Sequence, residues 1–166
     1  MKTMARLVGT VGGVGYLRPA PGTWGSLAAL PLAWMIHVIG GLPLLVLACV
    51  GVFAAGWWAT REMTFGQDNH DPSEIVIDEV AGQWVALLPL SFFAWRMGVD
   101  ISVMWPGWAA AFVLFRLFDI TKIGPIGWAD RRDDALGVML DDVIAGAFAA
   151  LGVLGMAFVA HGIFSV

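Results

Sequence analysis

Five long apolar runs, separated by short polar or glycine-proline breaks, organise this chain: residues 24–39, 43–60, 78–96, 105–118 and 142–164. Stretches of this kind are candidate membrane-spanning helices. The expected fold is therefore all-α: a polytopic membrane helix bundle of about five transmembrane or partly re-entrant helices, in a single domain over residues 1–166. The first and fourth runs are shorter than the ~20 residues a spanning helix needs, so either could end below the lipid surface or re-enter. Gly40, Gly41, Leu42 and Pro43 form a breaker cluster between the first two runs, with Pro43 suited to a first helical position, so these runs are expected to form a tight hairpin.

Positive charge gives the bundle an expected orientation. Lys2, Arg6 and Arg18 precede the first run, Arg61 follows the second, and Arg116, Lys122, Arg131 and Arg132 lie at or beyond the end of the fourth. Only Arg96 falls on the opposite side. Cytoplasmic loops carry the Lys and Arg excess, so the N-terminus and the loops at about 61–77 and 119–141 are expected to be cytoplasmic, with the C-terminus across the membrane.

Composition supports the membrane reading: 59% of the residues are hydrophobic and nine are Trp, more than a soluble core of this size requires. The net charge of -4 arises from acids clustered in two loops, and nucleic acid is not an expected partner. Cys49 is the only cysteine, which excludes an intrachain disulfide and a Cys-rich metal site. The glycine-rich first fifteen residues lack a long apolar region ending in a small-residue cleavage site, so no removable signal peptide is expected.

Against this background two acidic pairs stand out, Asp78-Glu79 and Asp141-Asp142, each where a polar loop meets an apolar run. Asp78 lies four residues before Gly82 and Asp142 four before Gly146, so each acid sits one turn above a glycine on one helix face. Small residues allow helix backbones to approach closely in a bilayer. Packing of the Ala81-Gly82 and Ala145-Gly146 patches would bring the acids together. Acids in a first helical turn also complement the dipole and cap free N–H groups, which would account for either pair alone. The two pairs together, on one expected face, favour a metal site made by Asp78, Glu79, Asp141 and Asp142. Oxygen-only ligands point to a hard divalent ion, Mg2+ or Mn2+.

The fourth run ends in FRLFDITK, where Arg116, Asp119 and Lys122 follow at intervals of three. Arg116 and Asp119 could form a plain helix-end ion pair. Beside a divalent metal, Arg116 and Lys122 would instead hold phosphate oxygens that the carboxylates repel. Asp119 could be a further ligand, a general base or a nucleophile. Near the N-terminus, RPAPGTWGSL precedes the first apolar run, with Thr23 and Ser26 as helix-cap candidates and a helix start able to cradle an anion. Both are candidate phosphate contacts. His70 could shuttle a proton near neutral pH, although a lone loop histidine is more often simply solvated.

Three segments in order, RPAPGTWGSL, DPSEIVIDEVAGQW and FRLFDITKIGPIGWADRR with LGVMLDDVIAG after it, resemble the phosphatidylglycerophosphatase A family over roughly residues 8–150. The resemblance implies a Mg2+-dependent phosphatase of the bacterial inner membrane that removes the terminal phosphate of phosphatidylglycerophosphate to give phosphatidylglycerol. It places the family's motifs on Asp71, Ile75, Asp78 and Glu79, on Arg116, Asp119 and Lys122, and on Asp141 and Asp142. Two departures accompany it. The usual Lys-Pro-x-Pro reads Lys122-Ile123-Gly124-Pro125, and the usual Gly-Gly-x-Gly is reduced to Gly137 after Asp133-Asp134-Ala135-Leu136. The rival expectations are a small ion-coupled transporter and a non-enzymatic membrane assembly subunit.

Overall fold

The computed structural model describes residues 2–67 and 69–164, with side chains through residue 160. Among the described residues it is helical without strands: α1 (Lys2–Gly9), α2 (Pro21–Thr64), α3 (Ile77–Met97), α4 (Trp105–Thr121), α5 (Pro125–Asp130) and α6 (Ala135–Phe164), with 3-10 turns at Val14–Tyr16 and Ile101–Met104.

The first two apolar runs form one element, α2, broken at Gly41, whose φ of 62° and ψ of -156° leave the helix. A residue without Cβ adopts that conformation cheaply. The arms then double back along α3. A Cβ built on Gly25 would lie 2.8 Å from Val76, one on Gly56 3.1 Å from Ile77, and one on Gly41 2.6 Å from Trp95 at the other end of α3. The expected hairpin is present. Its first arm starts at Pro21, in the first helical turn, and each arm is therefore about 30 Å long, not short. The fourth run is extended in the same way by the 3-10 turn before it, giving a continuous stretch Ile101–Thr121 of 21 residues.

Pro21–Thr64, Ile101–Thr121 and Ala135–Ala160 are long and apolar enough to cross a membrane. Helix α3 is not among them, because Asp78, Glu79, Gln83 and Arg96 dilute its apolar character. It is instead sheathed by its neighbours, packing against α2, α4 and α6. Trp84 fastens it sideways, its Nε1 donating to the Ala29 carbonyl at 2.9 Å. Phe115 of α4 and Leu45 of α2 belong to the same buried apolar cluster as Val80, Leu87 and Ala145.

Helices α3 and α6 meet backbone to backbone at the two expected glycines. A Cβ on Gly146 would lie 3.1 Å from Gly82 Cα, and one on Gly82 2.5 Å from the Asp142 carbonyl oxygen. No side chain larger than hydrogen fits at that crossing.

Two short helices lie outside the five apolar runs. Helix α1 occupies the start of the chain and stops at a turn in which Val11, Gly12 and Gly13 all have positive φ. The Gly9 carbonyl then accepts from the Val76 N–H at 2.9 Å, tying this turn to the segment that enters α3. Helix α5 fills the middle of the loop expected at about 119–141. Helix α6 also begins earlier than its apolar run, since Ala135, Val138 and Met139 are buried and continue the helix toward its start. Asp134 caps that start, its Oδ1 accepting from the Gly137 N–H at 2.7 Å. Asp134→Ala is expected to cost about 1 kcal/mol. Thermal unfolding in detergent should register this as a midpoint lower by about 2–4 °C; an unchanged midpoint would show that the cap does not hold the helix start.

Candidate active site

At the end of the bundle where α2 and α3 begin and α4 ends lies a cavity of about 250 Å³. Its wall carries the carboxyl groups of Asp71, Asp78, Glu79, Asp119, Asp141 and Asp142, the cations Arg116 and Lys122, and the chain at Ala20, Pro21 and Gly22. Six carboxyls against two cations make the cavity acidic, and the acids are not solvated to match. Asp142 is 3% exposed, Asp141 5%, Asp78 7% and Asp119 9%.

Each wall follows from local structure. Asp78 and Glu79 occupy the first turn of α3. Asp141 and Asp142 do not stand at a helix start as expected: α6 has already run from Ala135, and its first turn holds no acid. The dipole account of that pair therefore fails, because a helix end acts mainly on its own first turn. The crossing at Gly82 and Gly146 brings the two pairs into one cavity, and α4 adds Arg116 and Asp119 one turn apart.

The carboxylates group into two trios. One oxygen each from Asp78, Glu79 and Asp142 lie within 4.8 Å of one another, and so do one each from Asp119, Asp141 and Asp142. Asp142 is common to both. Three oxygens, Asp78 Oδ1, Glu79 Oε2 and Asp142 Oδ2, are buried without a hydrogen-bond partner. Buried polar atoms are nearly always satisfied, and a charged one left alone is costly.

The cations are engaged with particular acids. Arg116 Nη1 is 2.6 Å from Asp119 Oδ2 and 4.0 Å from Glu79 Oε1. Lys122, in the left-handed region at the end of α4, places Nζ 2.6 Å from Asp130 Oδ1 and 2.5 Å from Asp141 Oδ2. Burial alone would lower its pKa, but hydrogen bonds to Asp130 and Asp141 hold the ammonium well above the usual lysine range. It stays charged at any working pH. Asp130 is a partner the spacing did not reveal, since its side chain meets Lys122 only after α5 folds the chain back.

The start of α2 contributes backbone. Pro21 occupies the first turn, no side chain caps this end, and Gly22 is so close to Glu79 and Arg116 that a Cβ there would lie 3.1 Å from Arg116 Nη1. Free N–H groups at such a start favour anions. Thr23 and Ser26 do not line the cavity, contrary to expectation. Ser26 lies a full turn inside the helix, is buried, and donates to the Gly22 carbonyl at 2.8 Å. The helix starts earlier than the apolar run, so Pro21 and Gly22 take the place expected of Thr23 and Ser26.

Asp71 reaches the cavity, whereas His70 does not line it. His70 lines an adjoining polar hollow, its Nε2 3.4 Å from Asp133 Oδ1. Ser73 and Ile75 complete the wall on the side of the loop.

The cavity combines convergent buried carboxylates, which call for cations, with two fixed cations and a helix start, which suit an anion. Such a set of donors could hold a metal ion and a phosphate group side by side.

Comparison with known proteins gives the family. The family model for Phosphatidylglycerophosphatase A matches residues 7–157. Phosphatidylglycerophosphatase A of Haemophilus influenzae is 32% identical over 147 residues, covering 88% of this chain and 84% of its own. The protein of that name from Escherichia coli is 35% identical, covering 83% of this chain and 74% of its own. A Bacteroides thetaiotaomicron protein provisionally named a phosphatidylinositol-3-phosphatase is 36% identical, covering 86% of each chain. No solved structure matches.

Proposed function

The chain belongs to the phosphatidylglycerophosphatase A family, and we propose that its acidic cavity binds Mg2+ and hydrolyses the terminal phosphomonoester of phosphatidylglycerophosphate to phosphatidylglycerol and phosphate. The observation that supports this most is the cavity itself, where unpartnered carboxylate oxygens of Asp78, Glu79 and Asp142 face the same space as Arg116 and Lys122.

Asp78, Glu79, Asp141 and Asp142, with Asp119, would hold the metal. When bound, Mg2+ offsets phosphate charge and raises the acidity of water. Arg116 and Lys122 bind the phosphoryl oxygens, Arg116 through a planar fork and Lys122 as a point charge. The N–H groups at the start of α2 add neutral donors on the same side. Water attacks phosphorus, the bond to the glycerol oxygen breaks, and that oxygen leaves with a proton as the alcohol. The cations hold the equatorial oxygens while charge redistributes. At about 250 Å³ the cavity suits a head group, so the acyl chains stay in lipid.

The proposal extends to the placement in the membrane. The two arms of α2 with α3, α4 and α6 make five crossings, in the bacterial inner membrane, with the N-terminus and the cavity on the cytoplasmic side. This rests on eight Lys and Arg residues at the cavity end or its loops, Lys2, Arg6, Arg18, Arg61, Arg116, Lys122, Arg131 and Arg132, against Arg96 at the other.

The test is detergent-purified protein with phosphatidylglycerophosphate. Phosphate should appear with Mg2+ and stop with EDTA, returning when Mg2+ is restored in excess. Release that EDTA does not alter would remove the metal, and no release at all would remove the substrate.

A further inference from the structure

The two carboxylate trios share Asp142 but differ in what surrounds them. Of the three unpartnered buried carboxylate oxygens at the site, two belong to the first trio alone, on Asp78 and Glu79, and the third is on the shared Asp142. The first trio's nearest cation is Arg116, 4.0 Å from Glu79. In the second trio the two further members are already engaged. Asp119 is paired with Arg116 at 2.6 Å, and Asp141 has Lys122 on Oδ2 at 2.5 Å and the Asp142 N–H on Oδ1 at 3.0 Å.

We infer that the trios fill in order: Asp78, Glu79 and Asp142 take a divalent cation in the lipid-free protein, whereas Asp119 and Asp141 join Asp142 in taking a second only when a phosphate group draws Arg116 and Lys122 away. This rests on the reading of the cavity as a metal and phosphate site. The physical reason is competition for the same lone pairs. A cation entering the second trio must displace an ammonium and a guanidinium that already neutralise two of its ligands. A phosphate dianion supplies both with another acceptor, since it accepts charge-assisted bonds from Arg and Lys. Both side chains have short paths to it, because Arg116 and Lys122 line the same cavity wall as Gly22 and the start of α2. In the first trio the nearest cation, Arg116, stands farther off, at 4.0 Å from Glu79. Lys122 is thereby a positioning residue that keeps Asp141 closed to metal until substrate arrives, and Asp130, 2.6 Å from its Nζ, steadies it there.

Full-length protein in uncharged detergent, titrated with Mn2+ and followed by electron paramagnetic resonance, tests this without turnover. Methylphosphonate serves as the phosphate probe, since its C–P bond is not hydrolysed. One Mn2+ per chain is expected without it. A second is expected with it, together with spin coupling between the ions, because the shared Asp142 makes the sites adjacent. Asp78→Asn should abolish the first binding event, and Asp141→Asn should abolish only the second. Lys122→Met should let the second Mn2+ bind without methylphosphonate, at least about tenfold more tightly than in the parent protein; Lys122→Gln serves if that variant does not fold. Two Mn2+ bound with equal affinity in the parent protein without the probe would overturn the ordering. So would an unchanged methylphosphonate requirement in the Lys122 variants. In both cases the metal reading stands. No Mn2+ bound under any condition would remove that reading too.

Discussion

Replacing Asp142 by Asn is expected to reduce phosphate release by on the order of 10³-fold or more while leaving the metal-free protein as stable as before, or more stable. Asp142 is the acid common to both trios, so its loss would weaken both proposed metal positions together. A loss of that size corresponds to about 4 kcal/mol of transition-state stabilisation, in the range seen when one charge-stabilising group is removed from an active site. The stability effect has the opposite sign for an electrostatic reason. Asp142 is 3% exposed, has an unpartnered oxygen, and crowds Asp78, Asp119 and Asp141. Without metal, an ionised carboxylate in that setting is repelled by its neighbours and poorly solvated. Asn keeps the shape and removes the charge. Thermal unfolding in EDTA alongside phosphate release in Mg2+ separates the two effects. A large fall in the unfolding midpoint would mean that Asp142 supports the fold, and near-normal release would remove it from the site.

The second large effect is expected at Gly146, which bears no titrating group itself. Gly146→Ala should cost about 1–3 kcal/mol of stability, the usual range for overpacking, and lower activity by on the order of 10²-fold, as an ångström-scale misplacement of reacting groups does. The added methyl would meet the backbone of Gly82, 3.1 Å from its Cα, which cannot rotate aside as a side chain can. Helices α3 and α6 must separate instead, and with them Asp78 and Glu79 from Asp141 and Asp142. Gly155→Ala is the control, being in the same helix with open space where its Cβ would go. Equal behaviour of the two variants would show that the crossing tolerates separation.

The two acidic pairs and the glycines beneath them were legible because helical spacing and the low bulk of glycine are local facts. The hairpin was legible from Gly40 to Pro43 for the same reason. What escaped was whatever depends on where a helix starts. The apolar stretch before Asp141 reads equally well as loop or helix until Met139 is seen packed at Gly56. That shift moves the acids from the end of α6 into its body. Likewise Pro21 begins α2 ahead of the bulky residues, which turns Ser26 inward and leaves Gly22 at the cavity. Helices α1 and α5 are short and each has glycine at one end, so their order comes from docking and not from propensity. The pairing of Lys122 with Asp130 and Asp141 needs a fold in the chain that no spacing announces.

Helix α3 carries Asp78 and Glu79 yet is the long helix that falls short of the apolar character needed to cross a membrane. That has a consequence for biogenesis. A segment bearing two acids, a glutamine and an arginine partitions poorly into lipid by itself. The α2 hairpin, made earlier during synthesis, offers it Ala29 as a hydrogen-bond acceptor for Trp84 and a glycine-lined surface to lean on. On the proposed placement, helix α3 would enter the bilayer as a passenger of its neighbours, and lesions that loosen the hairpin would be felt first as failed insertion, before any chemistry is lost.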